Sequence, residues 1–295
     1  MAAPAPSNRP TAVASGPAPA AHGPSCSVVV PVKDDARHLR HLLADLAAQT
    51  QAPAEVIVVD NGSRDDSAEV ALRAGCRVIV ESAPGIPAAA AAGYNAAHGD
   101  LILRCDADSR LPQGWIAAHQ RAHSTGGRSV ALVTGPAVFL LPRHWGTVAA
   151  IAYLGAYMLC TGAALGHLPA FGSTMSMRRV WWERVRGEVS SDPGVHDDMD
   201  LSFRVAPEED VLLDWRAWVG MSPRALLPGH LATLRGKRAL STLRRNWIRQ
   251  RPWERWAERL HLDRAAGGGA ARRSIDRQAV LAERTSIVDQ AMDVR

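Results

Sequence analysis

Asp106 and Asp108 stand one residue apart, directly behind the apolar run Leu101-Ile102-Leu103. At an extended strand end, residues two apart point to the same side, so both carboxylates can converge on one hard cation, or on a ribose and a metal together. That geometry suits a metal-held diphosphate. An Asp-x-Asp triplet is also a common solvated turn, so its meaning depends on its surroundings. More acids punctuate the chain at Lys33-Asp34-Asp35, at Asp60-Asn61-Gly62-Ser63 and at His196-Asp197-Asp198-Met199-Asp200. The last group opens a predicted helix, where capping and the helix dipole account for one or two acids but not for three. Crowded carboxylates raise one another's pKa, which suits a base that takes a proton from a hydroxyl. Asp200 and Arg204 are spaced i, i+4 for pairing, which leaves Asp198 free for that role.

The elements that must position these acids are legible as an alternation. Ser27-Val28-Val29-Val30 reads as a strand, and Ala36 to Gln49 as an amphipathic helix with Leu39, Leu42, Leu43 and Leu46 on one face and Asp34 or Asp35 as its cap. Glu55 to Val59 and a helix from Asp66 to Ala74, closed by Gly75, repeat the unit. Arg77 to Val80 with the alanine-rich stretch 87–98 repeats it again, as do Leu101 to Cys105 and a helix over 112–123. Strands alternating with helices imply an α/β fold with a mostly parallel, doubly wound sheet. In such sheets ligands gather at the carboxyl ends of the strands, and three of the acidic clusters fall there.

With 47% hydrophobic residues, the chain of 295 can bury one large core. Cys26, Cys76, Cys105 and Cys160 form no C-x-x-C pair, and no secretory leader is read, so reduced thiols and a cytoplasmic setting are expected. Residues 1–24 are a predicted disordered tail of Ala, Pro, Gly and Ser, and 263–295 a polar tail. The globular domain is expected over 25–230. Within it, 147–166 holds twenty residues without a formal charge, long enough to span a membrane but only mildly hydrophobic. One crossing would separate the acids on either side of it, which favours a buried or interfacial helix over a re-entrant or spanning one. The formal charge of +5 is concentrated in Arg235 to Arg259, where nine Lys/Arg face two Glu. This helical, Trp-rich segment, assigned to 231–262, suits phosphates or an anionic membrane face, and equally a solvated helix with Trp in the core.

Taken together, these residues resemble the inverting family 2 glycosyltransferases of the GT-A fold, over roughly 26–251. Val29-Val30-Pro31-Val32-Lys33-Asp34-Asp35 is similar to the family's first-strand motif, which implies that Pro31, Val32 and Asp35 cradle the nucleotide base. Val59 to Ser67 resembles its second nucleotide motif, with Asp60 on the base or ribose. Asp106-Ala107-Asp108, followed by Leu111-Pro112-Gln113-Gly114-Trp115, resembles its D-x-D element, which implies ribose contact by Asp106 and a divalent metal, Mg²⁺ or Mn²⁺, on Asp108. Phe171 to Arg179 resembles the acceptor-side loop, implying acceptor contacts from Gly172, Trp182 and the later Asp197. Asp197-Asp198-Met199-Asp200-Leu201 resembles the motif whose second acid is the general base, here Asp198. The implied partners are a nucleotide-diphosphate sugar and a glycan or lipid-linked acceptor, with peripheral contact at the inner membrane face and no nucleic acid.

Two departures stand out. The family's Arg-Asn pair upstream of the D-x-D strand is replaced by Ala90-Ala91. The processive Q-x-x-R-W motif is replaced by Arg245-Asn246-Trp247-Ile248-Arg249-Gln250-Arg251, which argues for addition of one sugar, with Arg245, Arg249 and Arg251 closing over the diphosphate. His230 is placed as a further metal ligand or as a structural histidine after a turn. The first strand is followed by no glycine-rich phosphate loop, which excludes nucleotidyltransferase and dehydrogenase readings. A catalytically inactive scaffold binding membrane or nucleic acid is the alternative, and the intact Asp108 and Asp198 weigh against it.

Overall fold

The computed structural model describes residues 23–142, 145–226 and 230–265. Residues 1–22 and 266–295, most of the two expected tails, lie outside the described residues. The first half alternates as expected: β1 (Cys26–Val32), α1 (Ala36–Ala47), β2 (Glu55–Asp60), α2 (Ser67–Arg73), β3 (Arg77–Val80), α3 (Ile86–Ala96) and β4 (Leu101–Cys105). β1 pairs in parallel with β2 on one side and β4 on the other, and β3 extends the sheet beyond β2. The chain therefore winds outward from β1 in one direction, then returns to start the other. That reversal opens a crevice beyond the carboxyl ends of β1 and β4.

Helices cover both faces, so Val28, Val29 and Val30 are all buried. α1 buries Leu39, Leu42, Leu43 and Leu46, the expected stripe. Asp35 stands at its N-cap position but makes no capping bond. The Ala36 N–H instead donates to Asp65 at 2.8 Å, from the loop after β2, which leaves the Asp35 carboxylate at the rim.

The second half departs from simple alternation. α4 (Trp115–Thr125), β5 (Val130–Thr134), β6 (Ala137–Phe139), α5 (Trp145–Leu165), β7 (Thr174–Arg178), α6 (Arg179–Val185), α7 (Asp197–Ser202), β8 (Asp210–Leu213) and β9 (Val219–Met221) follow, then α8 (His230–Trp247) and α9 (Pro252–Ala265). The main sheet has the order β3-β2-β1-β4-β7-β5-β8, while β6 and β9 form a small parallel pair. β7 lies antiparallel between β4 and β5, so most of the expected acceptor-side loop is a central strand. Its side chains alternate in character. Met175 and Met177 enter an apolar cluster. Thr174 and Ser176 meet a buried polar layer on α4, where Trp115 Nε1 donates to Thr174 Oγ1 at 3.0 Å and His119 and His123 bond Ser176 Oγ at 2.8 and 3.0 Å.

α5 departs from the buried option for 147–166. Ala150, Leu154, Ala164 and Leu165 pack inward, but only 28% of its apolar window is buried, and Ile151 and Leu159 are 69% and 74% exposed. By length and composition alone it is apolar enough to cross a membrane. The basic segment packs against the rest of the domain. Asn246 Nδ2 of α8 donates to the fully buried Asp200 at 2.7 Å, and on α9 Arg255 Nε and Trp256 Nε1 each reach the end of α5 at 2.9 Å, on Leu165 O and Ala163 O. Trp253 and Trp256 are exposed, whereas Trp247 packs partly buried against the Leu165, Met199 and Phe203 cluster, so the core reading holds for Trp247 alone.

The buried histidines set an acid limit. Burial lowers the pKa of both His119 and His123 to about 3, helped by their mutual proximity for His119 and by Arg178 for His123. The folded values lie below the unfolded one, so the unfolded chain binds more protons between pH 3 and the free histidine value of about 6.5, and stability falls as pH drops through that window. Each histidine is expected to cost on the order of 2 kcal/mol at pH 5. Thermal unfolding between pH 7 and 5 checks this: the melting temperature should fall, and the H119Q/H123Q variant should flatten that fall.

Candidate active site

A cleft of about 540 Å³ opens at the crevice between β1 and β4 and is lined by Pro31, Val32, Asp35, Asp106, Asp108 and two arginines, Arg224 and Arg238. Five of the residues singled out in the sequence are thus brought together on one rim. The loops after β1 and β2 are laced to each other. Asp34, at a positive φ of 51°, accepts from the Arg64 N–H at 2.6 Å, and its own N–H donates to Ser63 Oγ at 3.0 Å. Asp60 lies at the end of β2, buried, and accepts from the Ser63 N–H at 3.1 Å, so it closes the turn and does not line the cleft. Asn61 lines it instead, and its amide binds Glu81 O, Ala83 O and the Gly85 N–H at 2.7 to 2.9 Å. Gly85 sits at φ 113°, where a side chain would meet Pro193 at 2.8 Å, so only glycine suits this wall.

Beneath the rim lies an arginine that sequence reasoning passed over. Arg104, on β4, is 3% exposed and donates to Asp106 Oδ1 at 3.1 Å and to Asp197 through a short ion pair. Burial disfavours its charge, yet Asp197, Tyr94, Asp106 and Asp198 hold its pKa well above the ordinary arginine value. It supplies a buried cation on the strand side. Gly172 packs against this guanidinium so closely that a Cβ would fall 2.6 Å from its Nη1.

The next contacts join the two acidic motifs. The Gly172 N–H donates to Asp198 Oδ2 at 3.0 Å, and the adjacent Ser173 hydroxyl donates to Asp106 Oδ2 at 2.6 Å. Asp198 Oδ1 accepts the Met199 N–H at 2.8 Å, and His196 Nδ1 lies 3.8 Å from it. Asp106 and Asp198, 92 positions apart in sequence, are thereby held by consecutive residues. Burial and the neighbouring Asp106 charge raise the Asp108 carboxyl above the ordinary range, against the pull of Arg224.

Several expected roles are corrected. Trp182 is fully buried, donates to Asn95 Oδ1 at 3.0 Å and stacks edge-on to Tyr94, so it belongs to the core behind the site and not to an acceptor surface. Asp197 is committed to Arg104, and Gly172 contributes its N–H to Asp198. Arg245, Arg249 and Arg251 do not line the cleft: Arg245 is exposed on α8, Arg249 pairs with Glu188 at 3.8 Å and Arg251 lies over the Trp253 ring. Their place is taken by Arg238, inside the same basic segment, and by Arg224, for which no motif gave a signal. His230 is the first residue of α8, and its side chain lies outside the described residues.

Among the described residues no group of three or more His, Cys, Asp or Glu forms a ready-made metal cage. The acids at the rim do hold a cation: Arg224 Nη2 bridges Asp35 Oδ2 at 2.6 Å and Asp108 Oδ2 at 2.9 Å. Removing the deeper cation should unravel the site. Arg104→Met leaves Asp197 and Asp106 without their buried partner and is expected to cost about 3 to 5 kcal/mol of stability. Equilibrium urea unfolding measures it, and a cost below about 1 kcal/mol would show the pair to be incidental.

Residues 27–184 match the family model described as Glycosyl transferase family 2. An uncharacterized glycosyltransferase of Mycobacterium tuberculosis (strain ATCC 25618 / H37Rv) is 33% identical over 129 residues, 44% of this chain and 56% of the relative. An undecaprenyl-phosphate 4-deoxy-4-formamido-L-arabinose transferase of Pseudomonas syringae is 35% identical over 96 residues, 29% of this chain and 28% of the relative. The chain thus spans about half or less of the length of these curated relatives. Among solved structures, glucosyl-3-phosphoglycerate synthase from Mycobacterium tuberculosis, in complex with Mn²⁺, UDP and glucosyl-3-phosphoglycerate, aligns with a TM-score of 0.55 at 19% identity, over 76% of this chain and 80% of that one. A mannosyltransferase from Pyrobaculum calidifontis, in complex with GDP-Man and Mn²⁺, aligns with a TM-score of 0.59 at 18% identity, over 90% of this chain and 81% of that one. The sheet is therefore that of the GT-A fold, and the family match over more than half of the chain completes the case: this protein belongs to the family 2 glycosyltransferases.

Proposed function

We propose that the protein is a metal-dependent, inverting glycosyltransferase that moves one sugar from a nucleotide-diphosphate donor to an acceptor hydroxyl at a membrane surface. The observation that carries the reading is the pair of consecutive residues, Gly172 and Ser173, that hold Asp198 and Asp106 side by side. A candidate base and a donor-binding acid are thereby fixed at one place.

In this reading the donor's base and ribose lie along Pro31, Val32, Asp35 and Asp106, with Asp60 bracing the loop beneath. Mg²⁺ or Mn²⁺ is held by Asp108. A hard cation of this kind commonly takes one or two carboxylates and completes its shell with substrate phosphates and water, which fits a rim without a three-acid cage. Two rim carboxylates that already converge on a guanidinium fit the same demand. When bound, the metal neutralises charge on the departing diphosphate. Asp198 has both oxygens oriented by backbone N–H groups, and it takes the proton from the acceptor hydroxyl as that oxygen bonds to the anomeric carbon and the diphosphate leaves. One base and one displacement invert the anomeric centre. The absence of a Q-x-x-R-W motif supports a single addition.

The surface supports a lipid-linked or cell-envelope glycan acceptor at the cytoplasmic face. The outer side of α5 carries the exposed Val148, Ile151 and Leu159, and the neighbouring α9 adds the exposed Trp253 and Trp256, with the Arg251 guanidinium over the Trp253 ring. An apolar stripe with two exposed tryptophans and an arginine at its edge suits a bilayer with anionic headgroups. The inner side of α5 backs the site, since the Tyr157 hydroxyl donates at 3.0 Å to Ala170 O, two residues before Gly172.

Asp198→Asn tests the base: transfer should fall about 100- to 10,000-fold while donor binding persists. A thermal-shift screen of nucleotide-diphosphate sugars, with Mn²⁺ and with EDTA, identifies the donor and reads out that binding. Unchanged transfer by the variant removes the base assignment, and a response that ignores EDTA removes the metal. The surface is tested by co-sedimentation with vesicles. Binding should require phosphatidylglycerol and weaken with salt, and Ile151→Glu/Leu159→Glu should cut it by about tenfold. Equal recovery of wild type and variant would sink the membrane contact.

A further inference from the structure

Arg224 lies on the short 3₁₀ turn Pro223–Leu226 that follows β9, and its side chain is 49% exposed. One nitrogen, Nη2, makes both of its rim contacts, with Asp35 from the end of β1 and Asp108 from the end of β4. The rest of the planar fork is thus not matched to either carboxylate as a bidentate pair, the arrangement that arginine favours with carboxylate or phosphate. The turn itself is anchored, because Arg235 Nη2 of α8 donates to Ala225 O at 2.7 Å. A long side chain on an anchored turn can change partners without moving the backbone. A second arginine faces the same cleft, which Lys33 also lines: Arg238, with Nε buried and lacking a hydrogen-bond partner. Two arginines in one cleft, one bonded to the acids through a single nitrogen and one with an unused buried donor, match a polyanion better than they match the acids alone.

We propose that Arg224 is a diphosphate-binding residue that rests on Asp35 and Asp108 in the free protein and is handed to the donor's phosphates when metal and donor bind. This rests on the assignment of Asp108 as the metal ligand and adds to it a competition within the site. The guanidinium and a divalent cation draw on the same carboxylate, so the arginine opposes metal bound alone and favours metal bound with diphosphate. Cation and anion affinities are then coupled with opposite signs through one side chain. The parked arginine also screens the crowded acids of the free rim from one another.

The coupling gives a test that needs no knowledge of the sugar or the nucleotide. Mn²⁺ binding to the full chain is followed by the electron paramagnetic resonance of the free ion, and pyrophosphate binding at saturating Mn²⁺ by titration calorimetry. Arg224→Ala is expected to bind Mn²⁺ alone about tenfold more tightly and pyrophosphate with Mn²⁺ about tenfold more weakly, the scale of one charge-assisted hydrogen bond. Arg224→Lys should fall between the two on both axes. Asp108→Asn serves as the control on the metal assignment. If it binds Mn²⁺ as the wild type does, the metal reading fails and this one fails with it. If Asp108→Asn loses Mn²⁺ while Arg224→Ala binds Mn²⁺ no more tightly than wild type, or loses nothing toward pyrophosphate, the handover alone is overturned.

Discussion

The pairing of Arg104 with Asp106 and Asp197 is the constraint on which the site depends. A guanidinium taken out of water into the layer beneath a sheet rim costs several kcal/mol unless carboxylates meet it there. Arg104 is nearly inaccessible, so Asp106 from the turn just after its strand and Asp197 from α7 must both turn toward it. Their convergence fixes where α7 can dock, and with it the neighbouring Asp198. It also dictates a glycine at 172, because any side chain would collide with the guanidinium, and that glycine lends its N–H to Asp198. β7 must then enter the sheet beside β4, since only an adjacent strand brings Gly172 and Ser173 over both acids.

The acids of the second cluster, identical in chemistry, are separated by burial and partners. Asp197 faces a buried cation. Asp200 is completely buried and accepts from the Ser190 N–H and from Asn246, so it ties α7 to the 190s loop and to α8. Asp198 alone has no cationic Arg or Lys partner among the described ion pairs, and its oxygens meet backbone N–H groups. This division supports the proposed base on grounds independent of the family motif: among the described ion pairs it is the one acid of the three that no arginine side chain meets.

How much of this was legible in sequence follows from range. β1 to β4 and their helices could be read because their signals are local: a β-branched run, a leucine stripe at helical spacing, a glycine at a helix end. The rim acids Asp35, Asp106 and Asp108 followed, since strand ends place them. β7 was missed because Thr174-Met175-Ser176-Met177-Arg178 lacks a β-branched run, and its strand character comes from pairing with β4 and β5 on both sides. Trp182 was misplaced because the local motif does not reveal which face of α6 turns toward Tyr94. Arg224 lies 116 positions beyond Asp108, and only the closed topology brings them together. The arginines of 245–251 drew notice by their density, whereas position in the fold selected Arg238 and Arg224.

Arg104 and Arg224 contrast one charge under two degrees of burial. Both bridge two carboxylates, and both touch the D-x-D element, one at each acid. Arg104 is enclosed, so exchanging its partners would expose a buried charge to an apolar layer, and it is confined to shaping the site. Arg224 sits half in water, where breaking an ion pair costs little because solvent takes its place. A fixed cation beneath the rim and an exchangeable one above it give the two acids of the triplet different freedom. Asp106 is held by the enclosed Arg104 and by Ser173, while Asp108 is held by a half-exposed partner that water can replace. The acid whose partner can be released is the one suited to the exchangeable metal proposed for this site.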